Sequence, residues 1–210
     1  MAIPLTDVKA QYAPLLEEVR RAIEDVLEDG QFILGPKVRA FEEEVAAYLG
    51  ASHSIGVANG TDALVLVLDA LEIGPGDEVL CPSFTFYATA EAIARRGATP
   101  VFADIDPATL NLDPGDVSER VTERTKAILA VHLFGRPAPL AELAELGVPI
   151  VEDAAHAAES RYRGRKIGTL SEATCFSLYA TKNVAAGEGG IVTTNEARIA
   201  EAIRDRRLMR

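Results

Sequence analysis

The chain has 210 residues, 48% of them hydrophobic and 25% charged, which fits one large folded domain or two small ones. Lys and Arg number 21 against 32 Asp and Glu, a net charge of −11, so nucleic acid and anionic membranes are disfavoured as partners. No apolar run approaches the ~20 residues of a membrane-spanning helix, and the N-terminus carries no signal or transit pattern. Cys81 and Cys175 each sit in an apolar run and read as reduced thiols of a cytoplasmic protein.

In chain order, Leu15, Leu16, Val19, Ala22, Ile23, Val26 and Leu27 follow a helical period, with Pro14 as start and Gly30 as stop. Pro36 opens a second helix that buries Val38, Phe41, Val45 and Leu49 and stops at Gly50. From residue 51 the texture becomes strands alternating with helices. Strands are expected at 54–57, 78–81, 100–103, 127–133, 149–151, 174–178 and 191–194. Helices are expected at 61–71, 86–96 and 140–146, and from Asn195 to the chain end, where no Gly, Asn or Pro stop appears. Residues 1–50 thus form an N-terminal helical segment and residues 51–210 an α/β core. Its apolar strands imply a mainly parallel, seven-stranded sheet covered by helices on both faces.

Ligands of such sheets sit at the carboxyl ends of the strands, which makes those ends the place to look for chemistry. After the strand at Val57, Asn59-Gly60-Thr61-Asp62 leads straight into a helix. That is either a phosphate-type anion site or an ordinary helix cap, with Thr61 or Asp62 serving its own helix. After Cys81, Phe84, Phe86 and Tyr87 offer a stacking face for a flat ring or simple core packing. After Val151 come Glu152, Asp153 and His156, an acid and a histidine spaced to share one side of a helical turn. A metal pair lacks further ligands at metal spacing, and a hydrolase lacks a G-x-S-x-G elbow. What survives is a buried acid with a cationic partner, in a cofactor contact or a structural ion pair. After Phe176 come Ser177 and Lys182, the latter in apolar surroundings that fit either a nucleophilic amine, disfavoured there as a cation, or a snorkelling surface lysine. The glycines of 187–190 let backbone pass close to a bulky ligand.

A phosphate seat, an aromatic platform, a buried carboxylate and an amine nucleophile are together the parts needed to bind pyridoxal 5'-phosphate. The chain also resembles the DegT/StrS-type family of sugar aminotransferases, within the aspartate-aminotransferase-like fold. The motifs that carry the resemblance are IPLTDVKAQYAPL at 3–15, GQFILGP at 30–36, NGTDAL at 59–64 and GDEVLCPSFTFYATA at 76–90. They continue with VHLFGRPA at 131–138, VEDAAHA at 151–157, FSLYATKN at 176–183 and GEGGIVTT at 187–194.

By that resemblance Lys182 is the Schiff-base lysine and acid/base, and Asp153 pairs with the pyridine nitrogen. His156 contacts the hydroxyl face of the ring and Phe86 stacks on it. Gly60, Thr61, Asp62 (through its backbone) and Ser177 hold the phosphate. The implied reaction carries an amino group from an amino acid, L-glutamate in most members, to a keto-sugar on a nucleoside diphosphate. His156 and the segment after Lys182 lean towards a C4 ketone over C3. A dehydratase branch has His in place of the lysine, which Lys182 opposes. Family members work as homodimers and continue into a smaller C-terminal domain, so the resemblance implies that this chain is the large domain, ending within a helix. A non-catalytic cofactor-binding or regulatory remnant is the alternative.

Overall fold

The computed structural model describes residue 3 and residues 6–208; Pro4, Leu5, Met209 and Arg210, which fall in segments quoted above, lie outside the described residues. The N-terminal segment holds α1 (Val8–Tyr12), a 3-10 turn at Ala13–Leu15, α2 (Leu16–Asp29) and α3 (Pro36–Leu49). Pro14 lies within the 3-10 turn and separates two helices, where the sequence pattern suggested a single helix starting there. Left-handed Gly30 and Gly50 close α2 and α3 as expected. In α3, Leu49 is buried, while Val38, Phe41 and Val45 are half-buried. No residue of α2 is buried, so its apolar stripe, including Ile23 and Leu27, faces outward.

The core alternates β1 (His53–Val57), α4 (Gly60–Ala70), β2 (Glu78–Pro82), α5 (Ala88–Arg95), β3 (Thr99–Ala103), α6 (Pro114–Arg120) and β4 (Thr125–Val131). It continues with α7 (Leu140–Ala144), β5 (Ile150–Asp153), the small hairpin β6 (Arg161–Tyr162) and β7 (Arg165–Lys166), β8 (Ala173–Ser177), β9 (Gly190–Thr194) and α8 (Ala197–Arg206). Seven strands form one sheet in the order β1-β9-β8-β5-β4-β2-β3. The run from β3 to β8 is parallel, and β9 runs antiparallel to both its neighbours. The segment between β8 and β9 contains no crossover helix, so the chain returns in the opposite direction.

Both sheet faces are covered, and β4 shows how. Ala127, Leu129 and Val131 join the core shared with α4, α5 and α8, while Ile128 and Ala130 join the core shared with α7. Helix α4 is apolar on nearly every side because it is enclosed, with every residue from Ala63 to Leu68 buried. Both cysteines are buried and free, and burial pushes the Cys81 thiol up to about 12.

Helix α8 ends at Arg206, short of the chain end that the pattern placed inside it. The Arg207 side chain turns inward instead. Its Nη1 donates to Glu42 Oε1 at 2.5 Å and to the Gly56 carbonyl at 3.2 Å, and Glu42 Oε1 also accepts the Gly56 N–H at 2.8 Å. Among the described residues no helix is long and apolar enough to cross a membrane.

Candidate active site

Because β1, β8, β5, β4 and β2 point the same way, their carboxyl ends meet along one edge of the sheet, joined there by the first residue of β9. A cavity of about 620 Å³ opens at this edge. Gly60, Thr61, Asp62, Phe86, Asp153, His156, Ser177 and Lys182 all line it, so the structure brings together every site residue expected from the sequence.

One end of the cavity is the first turn of α4. Asn59 is its cap, not Thr61 or Asp62; Asn59 Oδ1 accepts the Asp62 N–H at 2.8 Å. The backbone donor expected from Asp62 is therefore already engaged. Gly60 and Thr61, as the first two helical residues, have no carbonyl one turn back and keep their N–H groups for a ligand. Ser177 stands beside them. Its Oγ accepts the Tyr179 N–H at 3.3 Å, which leaves the hydroxyl proton to donate.

Two glycines allow this contact. A Cβ on Gly60 would lie 2.9 Å from Ser177 Cβ, and one on Gly190 would lie 2.3 Å from the Asn59 carbonyl oxygen. The close approach of Gly190 is thus to the α4 cap rather than to a ligand. Asp62 also faces Arg95 Nη1 at 3.4 Å, and both residues line the same wall.

The opposite wall carries Asp153, the last residue of β5. It is buried, and its partners are Thr89 Oγ1, which donates to Oδ2 at 3.1 Å, and the Ala155 N–H, which donates to Oδ1 at 3.2 Å. Thr85 Oγ1 lies 3.0 Å behind Thr89 Oγ1. Burial pushes the Asp153 carboxyl above its usual range, against the two hydrogen bonds. Among the described residues it forms no salt bridge, and the nearby Lys182 charge only partly offsets its burial. That is a fit for the ring nitrogen of pyridoxal phosphate and not for a structural ion pair.

The segment after Asp153 is a turn outside any helix, and it delivers His156 to the site as the spacing suggested. His156 Nε2 lies 2.6 Å from Lys182 Nζ. Burial lowers the Lys182 pKa, opposed by Asp153; burial and then the Lys182 charge lower that of His156. At this separation the two groups are not both cations, and they share one hydrogen bond whose direction follows the imidazole tautomer. Lys182 is half-buried and turned inward, not snorkelling. Phe84, Phe86 and Tyr87 are exposed, which removes core packing as their role; Phe86 lines the cavity.

Three contributions were missed from the sequence. Thr89, in α5, and Thr85, in the loop before it, buttress Asp153, and nothing in the sequence pattern distinguishes them from other threonines. Asn59 was legible as an Asn before a helix. Gln11 Nε2 donates to the Lys182 carbonyl at 3.4 Å across 171 residues, a contact no local signal marks.

A family model described as the DegT/DnrJ/EryC1/StrS aminotransferase family matches residues 15–209. A pleiotropic regulatory protein of Geobacillus stearothermophilus is 45% identical over 209 residues, 97% of this chain and 56% of that protein. A UDP-N-acetyl-3-dehydro-alpha-D-glucosamine 3-aminotransferase of Acidithiobacillus ferrooxidans is 45% identical over 208 residues, with the same two shares. The crystal structure of S. venezuelae DesV in complex with a ketimine intermediate superposes with a TM-score of 0.94 at 46% identity, covering 96% of this chain and 56% of that one. The chain therefore spans about half the length of the relatives it matches. It belongs to the DegT/DnrJ/EryC1/StrS aminotransferase family.

Proposed function

We propose that this chain forms the cofactor-binding part of a pyridoxal-phosphate-dependent aminotransferase. It would move an amino group from an amino acid, with L-glutamate as donor, to a keto-sugar linked to a nucleoside diphosphate. The observation that carries this reading is the convergence of a buried Asp153 without a salt bridge and an inward-turned Lys182 in one cavity with a free helix N-terminus.

When bound, the cofactor supplies the electron sink that lets an amino group pass between two carbonyl carbons. The residues of the chain do the rest. The N–H groups of Gly60 and Thr61 and the hydroxyl of Ser177 hold the phosphate by charge-assisted hydrogen bonds. Asp153, fixed by Thr89 and Ala155, keeps the ring nitrogen protonated and is relieved of its own burial cost by that charge. Phe86 covers one ring face. Lys182 is the nucleophile towards the cofactor carbonyl and afterwards holds the proton that moves at the substrate carbon. Burial favours the neutral, nucleophilic amine of Lys182, and His156 orients that amine through its hydrogen bond.

The sugar and its position are finer points. The relative from A. ferrooxidans is named for position 3, and this supports a C3 ketone over the C4 ketone expected from the sequence. Phe86 and Tyr179, which line the cavity, and Phe84, Tyr87 and Phe134 all expose aromatic surface, and that supports a second copy of the chain as partner. The cytoplasm, where amino acids and nucleotide sugars are made, is the proposed location.

Borohydride reduction of the cofactor-saturated chain, followed by peptide mass mapping, tests the assignment. A pyridoxyl adduct on Lys182 is expected, and an unmodified Lys182 refutes it. A second reading, a cofactor-binding regulatory protein without turnover, draws support from the name of the G. stearothermophilus relative. Loss of the cofactor's visible absorbance on adding glutamate favours the enzyme; a chromophore indifferent to every amino donor favours the regulator.

A further inference from the structure

Next to the site, and reaching its wall at His132, whose backbone N–H donates to the Asp153 carbonyl at 3.0 Å, lies a second polar cluster that the proposed reaction does not use. Glu152 and His132 are both fully enclosed, with side chains 0% exposed. His132 Nδ1 accepts the Ala138 N–H at 2.9 Å, and a backbone N–H can only donate, so the imidazole proton resides on Nε2. That proton is donated to Glu152 Oε2 at 2.7 Å. The other carboxylate oxygen accepts from Ser171 Oγ at 2.6 Å and Thr174 Oγ1 at 3.0 Å. Every polar atom of the cluster is engaged, and an isolated core gains little from such a group, since an apolar pair of equal volume is as good or better for stability. A role in stability alone does not account for it.

Its location does. His132 and Ala138 are the two ends of the loop that leaves β4, and the imidazole staples them together. Within that loop Phe134 adopts a left-handed conformation at φ 54°, unusual for a bulky residue. Its ring lies nearly parallel to that of His156, at 6.4 Å between centroids and 15° between planes. Ser160 Oγ donates to the Gly135 carbonyl at 2.5 Å, tying the loop to the turn that bears His156. His156 in turn holds Lys182.

We propose that Glu152 and His132 are positioning residues for Lys182, acting through the 132–138 loop and the Phe134–His156 stack. Neither touches the reacting atoms. The inference rests on Lys182 as the reactive amine, but its test does not require a bound cofactor. Lys182 faces His156 and Asp153, and His156 faces Lys182 and Asp153; these are the charged or titratable groups acting on each. If the stack loosens, water reaches both groups and their titrations move back towards ordinary lysine and histidine values.

The chain has three histidines and five lysines, few enough to follow individually. The experiment titrates the cofactor-free chain by NMR, with 15N-labelled histidine and 13C-methylated lysine. H132Q retains a donor for Glu152 but cannot reach Ala138 in the same way, and F134A removes the stack directly. Both are expected to raise the Lys182 midpoint by roughly half a unit, about a threefold change in its dissociation constant. The double variant should shift no further than either single one, because both act along one path. E152Q, which keeps shape but not charge, should give a smaller shift in the same direction and guards against failure of H132Q to fold. A folded H132Q or E152Q in which Lys182 and His156 titrate as in the parent overturns the proposal, as do additive shifts. Because the borohydride test reads adduct formation and this one reads titration without cofactor, failure of one is distinguishable from failure of the other.

Discussion

Replacing Gly190 with alanine tests how the phosphate seat is built. The new Cβ would fall 2.3 Å from the Asn59 carbonyl oxygen, 2.5 Å from its carbonyl carbon and 3.0 Å from the Gly60 nitrogen, all backbone atoms without a flexible end. Restoring ordinary contact requires β9 and the start of α4 to separate by about 1 Å. Strain of this kind costs about 1–3 kcal/mol, which for a chain of this size lowers the melting temperature by about 2–12 °C. The same displacement moves Gly60 away from Ser177. Loss of one hydrogen bond to a charged phosphate costs about 1.5–3 kcal/mol, or about 10- to 100-fold in affinity.

The assay is titration of pyridoxal phosphate against the variant, with a thermal melt alongside. Gly147→Ala is the control: Gly147 has a left-handed φ of 68° and nothing near its Cβ position. That substitution should destabilise by about 1–2 kcal/mol through backbone strain without weakening the cofactor. Parental affinity in G190A, or an equal loss of affinity in G147A, would refute the argument that the glycine shapes the seat.

Asp153→Asn should change stability with pH in a defined direction. Burial raises the folded-state pKa of Asp153, so the stability of the protonated form is full at low pH and is lost as pH rises through that raised value. Cofactor-free D153N is therefore expected to melt above the parent at neutral pH and level with it below about pH 4, while binding the cofactor more weakly; a lower melt at neutral pH contradicts the sign. Leu68→Ala, at a fully buried position in α4, should cost about 2–5 kcal/mol in denaturant unfolding. Leu27→Glu on the exposed stripe of α2 should change stability by less than about 0.5 kcal/mol. It should also reduce self-association in sedimentation if a second copy covers that stripe, whereas unchanged sedimentation assigns the stripe elsewhere.

Much of this molecule is legible in the sequence because its strands and helices are short and locally punctuated. Periodicity located all seven strands of the sheet, and the residues following four of them supply the site. What escaped has physical reasons. The direction of β9 depends on the absence of a crossover helix, and the residues 178–189 alone do not declare that. Helix α6 carries its signal in Asp113-Pro114, a cap that accepts the Gly115 N–H at 2.8 Å, but at seven residues it is too short for periodicity to be visible. At 154–157 the acid-to-histidine spacing suggested one side of a helical turn, and the chain there makes a non-helical turn that still delivers His156. The apolar stripe of α2 has helical spacing but no core to meet among the described residues. Amphipathicity reports a buried face without naming what buries it.

Strand β5 carries two independent inventories in alternate phase. Val151 and Asp153 address the cavity side of the sheet, while Ile150 and Glu152 address the far side, where the His132 network lies. Substitution in one phase leaves the other in place, so the cofactor contact and its support can vary separately. Insertion or deletion of a single residue cannot do this. It would exchange the two phases, bringing Glu152 against Thr89 of α5 and Asp153 against His132. This segment should therefore accept changes of residue far more readily than changes of length. The hairpin turn at Arg163-Gly164, which carries no such phase, should show the reverse tolerance.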